Sequence, residues 1–254
     1  MNLGPYYNAQ LYKARIRALE RGLYSVGYTF CGSAVLEVGC GTGFYTEYCL
    51  QKGVKTYTGI DIAQISVYTL RQRYPYFKFI QADISLDIPS DIGDFDIVLA
   101  ADVMFHIIPD RAFNQAIQNL LSHLKSGGLL IISDLFPRTR IQPVPHVCFH
   151  SINEYIHLFS PYCVYIIHQE PIFFLLYPLP LILSGNSKWK KGEIFQRYAK
   201  NLCKWNMFDK TFPTIAAWLD AKIFLPLSRR ILGTSLGFLM SNMKWLFAAK
   251  GNLL

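Results

Sequence analysis

The chain has 254 residues, enough to bury a full core, and 52% of them are hydrophobic and 15% aromatic, which excludes a disordered chain. No apolar stretch reaches the roughly 20 residues that a membrane-spanning helix needs; the best, residues 171–184, has 14 and is broken by prolines. The net charge of +8 is uneven, because residues 1–185 carry 13 basic and 14 acidic side chains while residues 186–254 carry 12 and 3.

The first predicted element is a helix over about residues 5–23, where Tyr12, Ile16, Leu19 and Leu23 recur on one face. Residues 35–43 then read VLEVGCGTG. Branched apolar residues carry a buried strand to its carboxyl end, Glu37 sits at the tip, and Gly39, Gly41 and Gly43 turn the chain toward a helix. The dinucleotide fingerprint would require its third glycine at position 44, where Phe44 stands. A strand over 55–60 ends in Asp61, inside YTGIDIA. An acid about 20 residues beyond a glycine turn is placed to accept hydrogen bonds from ribose hydroxyls. A third strand, 77–80, runs into QADI with Asp83, and a fourth, 95–99, gives FDIVLA.

The loop DVMFHIIPD follows, with His106 in its middle and Pro109 and Asp110 starting a helix. Phe113, Ala116, Ile117, Leu120, Leu121 and Leu124 form that helix's apolar face, and Gly127 and Gly128 are predicted to end it. A fifth strand near 128–134 ends in Asp134, and PVPHVCFHS then carries His146 and His150. Ser151 and Glu154 make a capping-box signature, and a sixth strand is predicted near 162–168. The seventh strand is either 172–177 or 244–249, the second being preferred. Strands near 34–38, 56–60, 77–80, 95–99 and 128–134 with helices between them give the rhythm of a doubly wound parallel sheet.

The E-x-G-x-G-x-G turn with acids after the next two strands resembles class I S-adenosylmethionine-dependent methyltransferases of the small-molecule type, firmly over about residues 30–135. The resemblance implies an α/β fold: a Rossmann-like, doubly wound, seven-stranded and mostly parallel sheet. It implies one methyltransferase domain over 1–254. This divides into an N-terminal helical lid (1–30), a cofactor-binding core (31–170), a helical insertion roofing the substrate (171–242), and a last strand and tail (243–254) that ends near the basic Lys250. A plain C-terminal extension is the competing reading of the insertion.

The implied cofactor is S-adenosyl-L-methionine, released as S-adenosyl-L-homocysteine, and no metal is expected. By resemblance the turn of Gly39, Gly41 and Gly43 packs on the methionine part, and Glu37 helps hold its amino group. Asp61 holds the ribose with Ile62 beside it, and Asp83 and the Ile84 backbone meet the adenine. Ala100 lies at the fourth strand's end. Tyr12 and Arg15 on the lid are candidates for the methionine carboxylate; core packing for Tyr12 and solvent for Arg15 is the alternative.

The sulfonium already activates the methyl group, so a base is needed only when the acceptor carries a proton that must leave. His106, His146 and His150 are the candidate bases. Tyr7, Phe105, His106, Asp134 and His146 are the candidate substrate contacts, with Asp134 equally readable as a loop cap and His123 read as surface. The target implied is an oxygen, hydroxyl or carboxylate, of a hydrophobic small molecule such as a natural-product scaffold. The basic stretch 186–254 is either a set of solvated faces or a contact for an anionic substrate, a membrane surface or an acidic carrier protein. A scaffold that binds cofactor without catalysis is the non-enzyme alternative. Nucleic acid is disfavoured, since LAAD replaces the N-P-P-[YF] pattern and no Pro-Cys pair is present. Oligomeric state is not predicted. The six cysteines show no paired rhythm and the N-terminus has no apolar leader core, so reduced thiols and a cytoplasmic location are expected.

Overall fold

A computed structural model describes residues 5–86, 88–173 and 243–251. The elements are α1 (Pro5–Val26), β1 (Ala34–Val38), α2 (Phe44–Gln51), β2 (Thr56–Asp61), α3 (Gln64–Arg73), β3 (Lys78–Gln81), β4 (Phe95–Ala101), α4 (Asp110–Ser122), β5 (Leu124–Asp134), β6 (Ile141–Val144), β7 (Val147–Phe149), α5 (Ile152–Phe159), β8 (Val164–Phe173) and β9 (Met243–Lys250). A seven-stranded sheet runs β3-β2-β1-β4-β5-β9-β8, and β6 and β7 form a separate antiparallel hairpin. The pairs β3–β2, β2–β1, β1–β4 and β4–β5 are all parallel. Of the two positions weighed for the seventh strand, 243–250 forms β9, and Ile172 lies at the end of β8. The roof insertion expected at 171–242 falls, from residue 174 on, outside the described residues.

The central strands are apolar along their length because helices cover both faces of such a sheet. Val35 and Leu36 of β1, Ile97 to Ala100 of β4 and Leu129 to Ile132 of β5 are all 0% exposed. The stripe of α4 read from the sequence (Phe113, Ala116, Ile117, Leu120, Leu121) is buried against them. The Ser151–Glu154 capping box opens α5 as expected.

Two readings are corrected. First, α4 stops at Ser122, so Leu124, read as part of its apolar face, and Gly127 and Gly128, read as its stop, all belong to β5. There the pairing slips from Phe95↔Leu124 to Ile97↔Leu129. The extra residues loop out, Gly127 takes φ 72°, and a Cβ on Gly128 would lie 2.9 Å from the Lys125 carbonyl oxygen. The glycine pair therefore serves a β-bulge, a use that composition does not separate from a helix stop. Second, His123 is 6% exposed, with Nδ1 2.9 Å from the Gly93 carbonyl oxygen, and is not a surface residue. Lys250 does end the last strand, and its ammonium donates to the Leu121 carbonyl in the last turn of α4 at 3.2 Å and to the Leu124 carbonyl at the start of β5 at 2.6 Å.

The chain divides into two compact units. One, Leu23–Gln169 with Leu246–Leu254, holds the glycine turn and most of the sheet. The other is Met1–Gly22 with Glu170–Trp245. Within it, the Arg15 carbonyl accepts the Trp245 indole N–H at 3.0 Å, and the Arg21 guanidinium bonds Glu170 at 2.8 Å. The buried face of α1 matches the one read from the sequence only in part: Leu19 and Leu23 are buried with Arg15 and Ala18, while Tyr12 is 40% exposed.

Candidate cofactor site

The site starts at the carboxyl end of β1. Gly39 takes φ 76°, and a Cβ there would sit 2.3 Å from Val103 Cγ2, so only glycine lets the β4 loop close on the turn. Gly43 takes φ 84° and leads directly into α2. Between them, the Gly41 N–H donates to Asp61 Oδ2 at 2.7 Å, and the Ala63 N–H donates to Oδ1 at 2.8 Å. Asp61 is thus clamped to the glycine turn, and each carboxylate oxygen keeps a second lone pair for a hydroxyl donor.

Glu37 is 1% exposed and does not open on solvent. It accepts the Tyr57 hydroxyl, which is 2.7 Å from the Thr46 hydroxyl. Parallel pairing sets this up, because the register Val35↔Tyr57 and Glu37↔Gly59 puts Glu37 and Tyr57 on one face of the sheet. Burial pushes the Glu37 carboxyl up to about 8, with the Tyr57 hydrogen bond opposing the shift.

At the end of β3, Ser85 donates from its N–H and its hydroxyl to Asp83 Oδ1, at 2.9 and 2.7 Å, which leaves Oδ2 aimed elsewhere. Ile84 is 6% exposed, and its carbonyl accepts the Asn119 amide at 2.7 Å. Ile62 is 66% exposed, an apolar side chain in the open beside Asp61. Ala100 is fully buried in β4.

The other edge of the crevice is the tip of β4. Asp102 has φ 59°, a left-handed conformation uncommon outside glycine. Its N–H donates to Ser133 Oγ at 2.8 Å, and Ser133 Oγ donates back to Asp102 Oδ1 at 2.8 Å. A short 3-10 turn, Met104–His106, follows. The Phe105 ring lies 4.5 Å from the ring of His106 and 5.4 Å from that of Phe149, centroid to centroid.

The three candidate bases stand in different settings. His106 is exposed on the β4 loop, and His146 is exposed at the tip of the β6–β7 hairpin. His150 is 0% exposed and stacked on Phe113 at 3.5 Å with rings 10° from parallel, and neither ring nitrogen has a hydrogen-bond partner. Burial, helped by the Arg140 charge, holds its imidazole below the usual value. Asp134 is also fully buried and accepts the Tyr155 hydroxyl at 2.8 Å and the Leu135 N–H at 2.6 Å. Tyr12 and Arg15 belong to the other unit, where the guanidinium lies 5.9 Å over the Tyr12 ring. The side chain of Tyr7 lies outside the described residues. Sequence reading missed Tyr57 and Asp102. The register of β1 against β2 identifies the first, and a positive φ, which leaves no trace in composition, identifies the second.

A family model described as a methyltransferase domain matches residues 35–128. The malonyl-[acyl-carrier protein] O-methyltransferase of Paenibacillus sp. (strain JDR-2) is 30% identical over 117 residues, which is 42% of this chain and 41% of that protein. The chain spans under half the length of the curated relatives it matches. Among solved structures, the N-methyltransferase NodS of Bradyrhizobium japonicum WM9 in complex with S-adenosyl-L-homocysteine superposes with TM-score 0.52 at 20% identity, over 67% of this chain and 81% of that one. The Burkholderia thailandensis 1,6-didemethyltoxoflavin-N1-methyltransferase, with bound 1,6-didemethyltoxoflavin and S-adenosylhomocysteine, gives TM-score 0.54 at 16% identity, over 94% and 79%. At these identities the superpositions speak for the fold.

Proposed function

We propose that the chain is a class I S-adenosylmethionine-dependent methyltransferase, which binds S-adenosyl-L-methionine at the β1–β4 crevice and methylates an oxygen, hydroxyl or carboxylate, of a hydrophobic small molecule; the methyltransferase-domain match over residues 35–128 supports the reading. The observation that carries the reading is the Asp61 clamp on the glycine turn, with two carboxylate lone pairs left for ribose hydroxyls. Asp83 Oδ2 suits the adenine amino group, and Ile62 suits a packing contact with the ring. Glu37, shut behind the turn and bonded to Tyr57, supports the turn from below rather than meeting the cofactor's amino group directly. The bound cofactor supplies an activated methyl; the chain's own residues hold it and shape the acceptor side. His106, Phe105, His146 and His150 are the acceptor-side candidates within the unit that holds the glycine turn.

The test is calorimetric titration with S-adenosyl-L-homocysteine. Micromolar binding at one site supports the reading, and its absence in folded protein overturns it.

One observation favours a second reading, in which the acceptor rides on an acidic carrier protein. Residues 186–254 carry 12 basic against 3 acidic side chains, and one relative acts on an acyl-carrier substrate by its name. Salt-sensitive binding to an isolated acyl-carrier protein separates this from a free small molecule.

A further inference from the structure

The segment that joins β5 to α5 is tied down at both ends, and a histidine without a polar partner lies under it. Its hairpin pairs Ile141 with Phe149 and Val144 with Val147. At the foot of the hairpin, the Arg140 guanidinium donates to Asp110 Oδ1 at 2.5 Å and, through Nε, to Glu154 Oε1 at 3.0 Å. One side chain thus ties the hairpin to the first turns of α4 and α5. At the far end, the Phe149 ring lies 5.4 Å from that of Phe105 in the β4 loop. His150 follows at once, directly before the Ser151 cap of α5. It is fully buried and stacked on Phe113 of α4, and neither ring nitrogen has a hydrogen-bond partner among the described residues.

A neutral imidazole buried in this way already leaves a donor and an acceptor unmet. An imidazolium would bury two donors and a charge, which is far more costly. The charged groups that act on the ring are Arg140, Glu154 and Asp110. Cys148 of β7 and Tyr155 of α5 complete the titratable set, and burial keeps both protonated. The two carboxylates that could answer an imidazolium are already bonded to Arg140, itself a like charge. Glu154 Oε2 is taken as well, by the Ser151 N–H and hydroxyl at 2.7 Å each. Although burial would raise it, the Glu154 carboxyl is held at about 2 by the Arg140 and Ser151 hydrogen bonds, so it stays ionised down to pH 5.

We propose that His150 is a proton-operated latch: uptake of a proton detaches the β6–β7 hairpin from α4 and uncovers the Phe105 side of the crevice. The latch stands apart from the methyltransferase reading; that the uncovered side receives the methyl acceptor rests on it. The closed hairpin holds the imidazole below its usual 6.5, while a released ring meets water. The released form therefore binds the proton more tightly. Opening grows as pH falls below about 6.5, by at most about tenfold per pH unit, and reverses as pH rises.

The test is hydrogen exchange in the full chain without ligand, at pH 7.5 and 5.5, corrected for the intrinsic effect of pH. In the wild type, protection of residues 141–149 falls by about three- to tenfold at pH 5.5, while that of β1 and β4 stays within about twofold. His150→Phe keeps an aromatic ring against Phe113 and has no nitrogen to titrate, so its hairpin protection does not change with pH. Arg140→Gln frees both carboxylates for the imidazolium, so its hairpin is less protected at pH 7.5 and gains protection at pH 5.5. His146→Gln, at the exposed tip, behaves as the wild type does. An equal fall in the wild type and His150→Phe overturns the proposal, and so does a fall shared by β1 and β4, which is unfolding of the whole unit. Failure to bind S-adenosyl-L-homocysteine overturns the methyltransferase reading and not the latch, whose measurement uses no ligand.

Discussion

The Tyr57 hydroxyl donates to the carboxyl of Glu37, and both groups are shut away from water at the carboxyl end of β1. A carboxylate buried this way is costly, so the site holds Glu37 protonated over a wide pH range. Its value is raised from 4.5 to about 8. The folded chain therefore keeps a proton that the unfolded chain releases across that window. Stability without ligand falls as pH rises from about 5 to 8, by at most about 1.4 kcal/mol per pH unit. Glu37→Gln lacks this slope, and chemical denaturation of both proteins at pH 5.5, 6.5 and 7.5 measures the difference. Parallel curves would remove the burial argument.

Tyr57→Phe removes the donor and leaves the acid behind. The expected loss is about 1 to 3 kcal/mol, larger at pH 8.5 than at pH 6, because an ionised acceptor suffers more from the missing bond. Urea unfolding at the two pH values reads it, and an equal loss at both would show that Glu37 does not ionise in that range.

Asp61 does two jobs at once, since it caps the backbone of the turn and faces the crevice. Asp61→Asn keeps one acceptor oxygen and loses the charge. Each charge-assisted bond contributes on the order of 1.5 to 3 kcal/mol, so affinity for S-adenosyl-L-homocysteine drops by about tenfold or more. Unchanged affinity in the titration would take Asp61 out of the ribose role.

Gly39→Ala brings a Cβ to 2.3 Å from Val103 Cγ2, in a backbone region that also strains alanine. The β4 loop has to move, and both stability and cofactor affinity fall. Val103→Ala in the same chain removes the clashing methyl and recovers part of the stability; the remaining deficit, about 1 to 2 kcal/mol, is the left-handed backbone. Melting temperatures of the two single variants and the double variant test this, and strictly additive losses would deny that the two residues meet.

His150 is the opposite case to Glu37. Its imidazole is buried neutral, below the usual 6.5, so the unfolded chain binds the extra proton. Stability is lost as pH falls below about 6.5. His150→Leu removes that loss, and the gap between variant and wild type widens in the variant's favour from pH 7 to pH 5. A gap that stays constant would mean that the ring gains a partner when protonated.

Local chemistry alone made much of this protein legible. The glycines of the turn, the acid that follows the second strand, the apolar runs of β1, β4 and β5, the stripe of α4 and the Ser151 cap each follow from short-range rules of φ, periodicity or hydrogen bonding. Those rules placed the sheet strands within a few residues and singled out Gly41 and Asp61 separately; their bond at 2.7 Å came only with the structure. Tertiary structure decided what depends on which groups meet. Gly127 and Gly128 serve a bulge because β4 lies alongside, and His123 is buried because Gly93 offers it a carbonyl. Glu37 turns to Tyr57 because β1 and β2 pair in one register, and Asp102 is held in place because Ser133 bonds it from the next strand. Sequence spacing constrains neighbours a few residues apart, whereas these contacts join residues 20 to 31 apart, and only the folded sheet brings them within bonding distance.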